Sequence, residues 1–250
     1  MPDVQLRSTA ISKHFQGVTA LDGVTVEVER GSIHGVVGPN GAGKPTLLNI
    51  MSGFVTPSSG SVELDGRDIT RLTPQRRVPL GLTRTFQNLR LFGGLTVREN
   101  VLLGQHAHAR TGFGSLWPVP TASEKQLRAE ADHALELLGL TALSRRRASS
   151  LPYGLQKQLE IARAVAAKPR LLLMDEPAAG MSAEERRDLV PRIRALRDEG
   201  VTVVVVEHDM DVISRVCDTV TVLNFGRILI EGTPEIALDS DEVRTAYLGG

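Results

Sequence analysis

The sequence predicts an α/β fold in which a parallel sheet is flanked by a small antiparallel β subdomain and by a helical subdomain. Two mostly apolar runs, 171–174 and 201–206, are typical of strands covered on both faces, as in a parallel sheet. Residues 24–29 alternate between valine and polar side chains, which is the period of a half-exposed strand. From residue 88 to about 150, capping signals replace this alternation and indicate a helical insert.

The bulk composition limits the classes of function. The chain has 250 residues, enough for one large domain or for a core with a smaller subdomain. Its 29 basic and 29 acidic side chains balance, which disfavours nucleic acid and anionic membrane surfaces as partners. The single cysteine, Cys217, cannot form an internal disulfide and fits a reducing cytoplasm. The sequence shows neither a secretion signal nor an apolar run that could span a bilayer, so we expect a soluble chain.

The segment 33–46 joins a short apolar strand to a helix through the spacing G-x-x-x-x-G-K, which is typical of a phosphate-binding loop. Its glycines let backbone N–H groups point inward, and the helix start adds the positive end of its dipole. Lys44 can reach the terminal phosphates. The loop therefore predicts a P-loop NTPase core, with a nucleotide that contacts Gly38, Pro39, Asn40, Gly41, Ala42, Gly43, Lys44, Pro45 and Thr46.

Pro45 stands where this motif usually has Ser or Thr, whose hydroxyl binds the Mg²⁺ that accompanies the phosphates. Proline is acceptable in the first turn of a helix, because its missing N–H has no intrahelical partner there. The fold should therefore survive, whereas ATP should bind less tightly and Mg²⁺-dependent turnover should fall. The harmless alternative is that water fills the metal position.

Antiparallel strands are predicted on both sides of this loop in the sequence. A first strand ends at Phe15, whose ring either stacks on adenine or packs in the core. The segment 61–68 alternates and contains an Asp-Gly turn, a strong hairpin signal. A further short strand is expected over 83–87.

Capping signals predict the helices of the insert. Thr96 opens a capping box whose helix runs towards Ala109, and Ser123 opens another that ends at the glycine cap Gly139. The loop between them holds the only tryptophan, Trp117, which either contacts a partner or packs in a satellite core.

Two further helices are predicted around the apolar runs. One covers 155–167 and leads into the run 171–174. The other is capped by Ser182, could be kinked at Pro191, and stops at Gly200.

Polar residues follow each predicted parallel strand. In open parallel sheets, ligands collect beyond the carboxyl ends of the strands, so we expect Gly38, Asp175 and His208 to converge on one site. A histidine after a strand is more often structural, but one that shares a sheet edge with a phosphate loop favours a functional role.

With these motifs in fixed order, the chain resembles the ATP-binding subunit of ABC transporters over almost its whole length. After the P-loop come Gln87 at the Q-loop position, 151–156 at the family signature (usually LSGGQ), 171–176 at the Walker B strand, 179–182 at the D-loop and His208 at the switch histidine. The resemblance implies one domain over 1–250, made of a β and P-loop part (1–87), a helical subdomain (88–155), and the rest of the core with a C-terminal helical tail (156–250).

The resemblance also implies roles for the polar residues at the strand ends. Asp175 would hold Mg²⁺, Glu176 would polarise the attacking water, and His208 would contact the γ-phosphate. Gln87 would touch both Mg²⁺ and water and would report the nucleotide state to the helical insert. These roles suit the chemistry, because a carboxylate beside a metal stays ionised and its neighbour can accept a proton from water in line with the γ-phosphate.

The signature segment departs from the family pattern at two positions. Pro152 replaces a serine whose hydroxyl would bond the γ-phosphate of the opposite protomer, and Leu155 replaces glutamine. Gly154 and the helix start remain, so backbone N–H groups could still meet the phosphate. Outside the P-loop, the predicted nucleotide contacts are therefore Phe15 and, by the resemblance, Leu151, Pro152, Tyr153, Gly154 and Ser182.

Within the family, the likeness is closest to ATPases of branched-chain amino acid importers. It is carried by residues 84–92, 151–154, 160–163, 175–181 and 246–249. ATPases of urea, amide or lipopolysaccharide transporters share parts of these patterns. The resemblance implies ATP and Mg²⁺ as cofactors, and a homodimer or heterodimer of ATPase subunits. It also implies two membrane permease subunits and, indirectly, a solute-binding protein, at the cytoplasmic face of the inner membrane.

Three functions are compatible with these features. The leading one is an ATPase that energises an importer. The second is a hydrolysis-impaired ATP-binding subunit beside an active partner, because of Pro45 and Pro152. The third, a soluble ABC protein of repair or translation, is disfavoured, because such proteins normally carry duplicated cassettes or long insertions.

Overall fold

The computed structural model describes residues 3–87, 89–105 and 122–248. The strands are β1 (Val4–Phe15), β2 (Val18–Glu29), β3 (Ile33–Val37), β4 (Ser59–Leu64), β5 (Arg67–Asp68), β6 (Leu82–Arg84), β7 (Leu171–Asp175), β8 (Thr202–Val206), β9 (Thr219–Asn224) and β10 (Arg227–Gly232). The helices are α1 (Lys44–Ser52), α2 (Pro74–Arg77), α3 (Val97–Gly104), α4 (Ala122–Leu137), α5 (Tyr153–Val165), α6 (Ala183–Asp198), α7 (Met210–Val216), α8 (Pro234–Leu238) and α9 (Asp241–Leu248).

The central sheet has six strands in the order β10-β9-β3-β8-β7-β6, and its pairs are parallel except for β9 with β10. Along β8, Val203 and Val205 join the apolar core on one face, while Val204 and Val206 join the core on the other. The apolar run of β8 is thus covered on both faces, which confirms the prediction of a parallel sheet.

The antiparallel subdomain is a four-stranded sheet in the order β2-β1-β4-β5. The valines at 24, 26 and 28 are buried and alternate with exposed polar residues, as predicted. Together with α1, they cover one face of the central sheet. The hairpin of β4 and β5 turns at Asp65 and Gly66, which have φ of 50° and 73°. Such positive values are accepted by Asp and Gly in a tight hairpin turn.

The helical insert packs on the opposite face of the central sheet. Thr96 forms the predicted capping box with Glu99 at the start of α3. The described part of α4 begins at Ala122, so Ser123 lies inside the helix rather than at its cap. Gly139 ends this segment with φ of 66°, and its N–H donates to the Glu136 carbonyl at 2.9 Å, as expected for a glycine cap.

Several boundaries differ from the sequence-based expectations. The strand predicted over 83–87 is only β6, because it is an edge strand that leaves its one neighbour, β7, after Arg84. Helix α5 begins at Tyr153 rather than at 155, and α6 continues through Pro191. Ala109, Trp117, Asn88 and Gly249 lie outside the described residues.

Candidate nucleotide site

The predicted phosphate-binding loop lies between β3 and α1, at the carboxyl end of the central sheet. Gly38 has φ of 151°, and a Cβ placed on it would lie 2.2 Å from the carbonyl oxygen of Leu223. Gly43 has φ of 103°, and its Cβ would lie 2.6 Å from the carbonyl oxygen of Ala20. Glycine is therefore required at both positions, because a side chain would push the loop away from the backbone of β9 and β2.

Lys44 is the first residue of α1 and is almost fully buried. Its ammonium donates to the carbonyl oxygens of Gly38 and Pro39, the latter at 3.0 Å. Burial lowers the pKa of Lys44, and the negative charge of Glu176 opposes that shift. The lysine charge is thus held inside the loop, where a phosphate would compete with the carbonyls for it.

Pro45 occupies the first turn of α1, and its side chain is exposed. The helix forms normally around it, since the Leu47 N–H donates to the Gly43 carbonyl at 3.0 Å. The prediction that the fold tolerates this proline is confirmed. Pro45 can offer neither a hydroxyl nor an N–H to a ligand.

Three predicted catalytic side chains lie together at the ends of β6, β7 and β8. Gln87 Nε2 donates to Glu176 Oε2 at 2.8 Å, and His208 Nδ1 lies 3.8 Å from Glu176 Oε1. Glu176 has φ of 47°, a conformation that non-glycine residues rarely adopt and that is common at functional sites. The charge of Glu176 also acts on the pKa of Lys44 in the P-loop. The strand ends and the P-loop therefore meet at one site, as the sequence predicts.

Asp175 is held by a residue to which the sequence analysis assigned no role. Arg84 Nη2 donates to Asp175 Oδ2 at 2.7 Å, and the two side chains are 8% and 13% exposed. The partners are 91 residues apart in the sequence, so no local spacing pairs them. The signal available was that Arg84 lies within the segment 83–87, which ends at Gln87.

Glu207 is a second residue that sequence reasoning missed. Its carboxylate is fully buried and accepts the N–H of Ala178 at 2.7 Å and the N–H of His208 at 3.0 Å. Burial raises the pKa of Glu207, and these backbone hydrogen bonds oppose the shift. Glu207 therefore ties the loop after β7 to the loop after β8.

The donor set fits a magnesium ion that is completed by a nucleotide. Within the described residues, no group of three or more His, Cys, Asp or Glu side chains could hold a metal alone. Mg²⁺ is usually bound through one or two carboxylates together with substrate phosphates and water. Asp175 and Gln87 could supply the protein oxygens of such a shell.

The signature segment lies at the start of α5, against α6. Tyr153 is 45% exposed, and a Cβ placed on Gly154 would lie 2.3 Å from Glu185 Oε1. Leu151 stays a prediction as a nucleotide contact, although its apolar side chain is 4% exposed and packs in the core. Only its backbone could meet a ligand. The hydroxyl of Ser182 accepts the Glu185 N–H at 3.2 Å as the cap of α6, which limits its freedom to bind a nucleotide.

Phe15 is 44% exposed, and the ammonium of Lys13 lies 5.0 Å from the centre of its ring. This exposure excludes the alternative of a core phenylalanine. The ring remains a candidate for stacking on adenine.

Comparison with known proteins identifies the family. Residues 21–179 match the family described as ABC transporter. The chain is 42% identical over 248 residues to the high-affinity branched-chain amino acid transport ATP-binding protein BraF of Pseudomonas aeruginosa, covering 98% of this chain and 97% of BraF.

Two solved structures are also similar. The ADP conformation of MJ1267, an ATP-binding cassette of an ABC transporter, has a TM-score of 0.87 and 32% identity, covering 99% of both chains. The dimeric structure of MJ0796, a bacterial ABC transporter cassette, has a TM-score of 0.76 and 25% identity, covering 92% of this chain and 98% of that one.

These matches confirm the resemblance, the fold class and the ATPase activity predicted from the motifs. Among the described residues, no helix has both the length and the apolar character needed to cross a bilayer. The chain belongs to the ABC transporter family, as an ATP-binding cassette whose ATP hydrolysis is coupled to transport.

Proposed function

We propose that this chain is the ATPase subunit of an importer for branched-chain or other hydrophobic amino acids. The contact between Gln87 and Glu176 beside the P-loop carries the proposal of hydrolysis, because it joins a water-positioning pair to the phosphate site. The amino acid specificity is supported by the identity with BraF over nearly the full length.

In the proposed reaction, Lys44 and the loop N–H groups bind the β- and γ-phosphates of ATP. Glu176 orients the attacking water and accepts its proton, while Gln87 fixes the carboxylate and His208 contacts the γ-phosphate. Asp175 would hold Mg²⁺. The bound ion would draw electron density from the phosphate oxygens and thereby ease attack on phosphorus.

The signature segment points to a second ATPase subunit, either another copy of this chain or a sister protein. Tyr153 and Gly154 lie at the N-terminus of the 13-residue helix α5, whose positive dipole end suits a phosphate from a partner. Pro152 removes the usual serine hydroxyl, so this contact would depend on backbone N–H groups. The dimer of the related cassette MJ0796 supports such an arrangement.

A groove beside the site is the proposed contact with the permease subunits. It has a volume of about 390 Å³ and is lined by Phe54, Phe86, Leu103 and Arg84, among others. Phe86 precedes Gln87, so a permease segment in this groove would press directly on the residue that contacts Glu176. This arrangement favours a peripheral position on the cytoplasmic face of the inner membrane, beside two permease subunits and, indirectly, a solute-binding protein.

The solute can be tested by uptake in cells that lack this chain. We expect uptake of labelled leucine to be lost and to return with the native chain, but not with the Glu176→Gln variant. Urea uptake is the matched control and should not change. Loss of urea uptake with normal leucine uptake would contradict the proposed specificity.

One observation favours a second candidate, a subunit that binds ATP but hydrolyses it poorly beside an active partner. Pro45 removes two potential contacts at the metal position. Mg²⁺-dependent turnover by the purified chain alone that Pro45→Ser does not raise would exclude this candidate. ATP binding without turnover, restored by adding a second ATPase subunit, would support it.

A further inference from the structure

The carboxylate of Asp175 requires a fixed orientation if one of its oxygens is to face a metal ion. In this motif the residue after the lysine usually supplies a hydroxyl at the metal position, but here it is Pro45. Among the described residues, the side chain that hydrogen-bonds the Asp175 carboxylate is Arg84. It binds Oδ2 at 2.7 Å, which leaves Oδ1 as the other oxygen of the group.

Arg84 is itself held firmly. Its Nη1 donates to Asn49 Oδ1 at 2.7 Å and to Ser52 Oγ at 2.9 Å. Both partners lie on α1, the helix that begins at the P-loop. The planar guanidinium can satisfy these partners and Asp175 simultaneously, because its donors are fixed in a fork. Arg84 thus links the phosphate-binding helix to the end of β7.

Two aromatic rings restrict the same guanidinium further. Its central carbon lies 5.6 Å from the centre of the Phe54 ring and 5.3 Å from the centre of the Phe86 ring. The two rings meet edge to face, with centres 5.6 Å apart. Cation–π contacts of this kind favour a fixed position for the cation over the rings.

We propose that Arg84 is the positioning residue for Asp175. It orients this carboxylate towards the metal and so compensates for the metal-binding hydroxyl that Pro45 lacks. The inference rests on the proposed role of Asp175 as a Mg²⁺ ligand. Removing a hydrogen bond that orients a metal-binding carboxylate commonly changes metal affinity by 10- to 100-fold. Arg84 acts through Asp175 and touches neither metal nor nucleotide.

The test measures the affinity of the full chain for Mn²⁺ by electron paramagnetic resonance, in the presence of a non-hydrolysable ATP analogue. We expect Arg84→Gln to weaken Mn²⁺ affinity by about tenfold or more, with metal-free binding of the analogue unchanged. Arg84→Lys should give an intermediate affinity, because lysine keeps the charge but loses the fork. An affinity equal to or higher than native in Arg84→Gln would overturn the proposal.

Arg90 provides the matched control. Its guanidinium lies 4.3 Å from the centre of the same Phe86 ring, and within the described part of the chain it forms no ion pair. Arg90→Gln should therefore leave Mn²⁺ affinity unchanged. An equal loss in Arg84→Gln and Arg90→Gln would mean that disturbed stacking on Phe86, rather than the orientation of Asp175, causes the effect.

Two further variants separate this inference from the proposed function. Asp175→Asn tests the metal role itself: if it leaves Mn²⁺ affinity unchanged, that role fails. If Asp175→Asn weakens affinity and Arg84→Gln does not, only the positioning inference fails.

Pro45→Ser should raise affinity more in an Arg84→Gln or Arg84→Lys background than in the native chain. Equal gains in Mn²⁺ affinity would contradict the proposal that Arg84 compensates for the hydroxyl that Pro45 lacks. The Arg84→Lys background allows this comparison even if Arg84→Gln does not fold.

Discussion

At the scale of single residues, Glu176 is the side chain on which hydrolysis should depend most. Its carboxylate contacts Gln87 at 2.8 Å and is 23% exposed, so water can reach it. We expect Glu176→Gln to retain ATP binding and to lose turnover by about a hundredfold or more, because an amide cannot accept the proton of the attacking water. Phosphate release and equilibrium binding of ATP would measure the two effects.

The control for this variant is Glu184→Gln, in an exposed position of the first turn of α6. It should hydrolyse ATP at the native rate. The trapped Glu176→Gln protein should also elute as a closed dimer when ATP is present. Native turnover by Glu176→Gln would remove Glu176 from its proposed role.

Pro45 is the residue at which this chain breaks the pattern of its own phosphate loop. Losing a charge-assisted hydrogen bond costs about 1.5 to 3 kcal/mol, which corresponds to roughly tenfold or more in rate. We therefore expect Pro45→Ser to raise Mg²⁺-dependent ATPase activity by tenfold or more. Because Pro45 is exposed, the melting temperature without nucleotide should scarcely change. Equal activities would show that Pro45 is harmless.

The residues that the sequence did not reveal share a physical property. The P-loop glycines and Lys44 are recognisable because the loop binds phosphate through local spacing. Arg84 and Glu207 act through contacts between strand ends that only the folded sheet brings together. Neither has a local pattern that distinguishes it from a surface arginine or a glutamate at the end of a strand.

At the scale of secondary structure elements, the sequence predicts whether a segment is a helix or a strand better than it predicts the residues at which the element begins and ends. Capping boxes at Thr96 and Ser182 depend on side chains three residues apart, so both were predicted correctly. The end of β6 depends on where its neighbour β7 leaves the pair, and local alternation carries no such information. The sequence places the start of α5 at residue 155, two residues too far along the chain. The helix begins at Tyr153 because Pro152 adopts the backbone conformation of its N-cap.

Glu207 makes the connection between the loops after β7 and β8 sensitive to pH. Burial raises its pKa above the ordinary value of 4.5, so the folded state binds this proton more tightly than the unfolded state. The native state therefore loses stability as pH rises from 4.5 through the raised pKa, and the full penalty is present above it. The N–H groups of Ala178 and His208 donate to this carboxylate and oppose the rise in its pKa.

We expect the stability of Glu207→Gln, relative to the native chain, to increase as pH rises from 4.5 towards neutrality, because glutamine does not titrate. Urea unfolding at several pH values would measure the free energy of unfolding of both proteins. Glu184→Gln should show a constant difference from native over the same range. A constant difference for Glu207→Gln as well would mean that Glu207 titrates normally.

At the scale of the whole molecule, two sheets and a helical insert meet around one nucleotide site, and the predicted fold class is confirmed. The apolar runs predict the layered core of this fold, because a strand buried on both faces needs a layer on each side. The sequence could not show that the residue before Gln87, Phe86, would line a groove about 390 Å³ in volume. That groove is where a signal from the membrane could enter the site.

Phe92 can test whether the permease contacts this region of the chain. It lies in the loop between Phe86 and α3, and it is 56% exposed. The backbone N–H of Phe92 donates to Asn100 Oδ1 at 2.9 Å, and the Phe92 carbonyl accepts from Asn100 Nδ2 at 3.1 Å. The loop is thus fixed without help from the aromatic ring. By contrast, Leu91 packs against the core, so a charge there would disturb folding.

We expect Phe92→Glu to bind ATP within about twofold of native and to lose tenfold or more of its association with membranes that contain the permease subunits, because a buried unpaired charge opposes docking. Co-sedimentation with such membranes and equilibrium ATP binding would measure both properties. Ile236→Glu, a change at a 62% exposed position of α8, is the control and should sediment like the native chain. Weakened ATP binding by Phe92→Glu would assign this loop to the nucleotide core. Unchanged sedimentation would place the permease contact elsewhere on the chain.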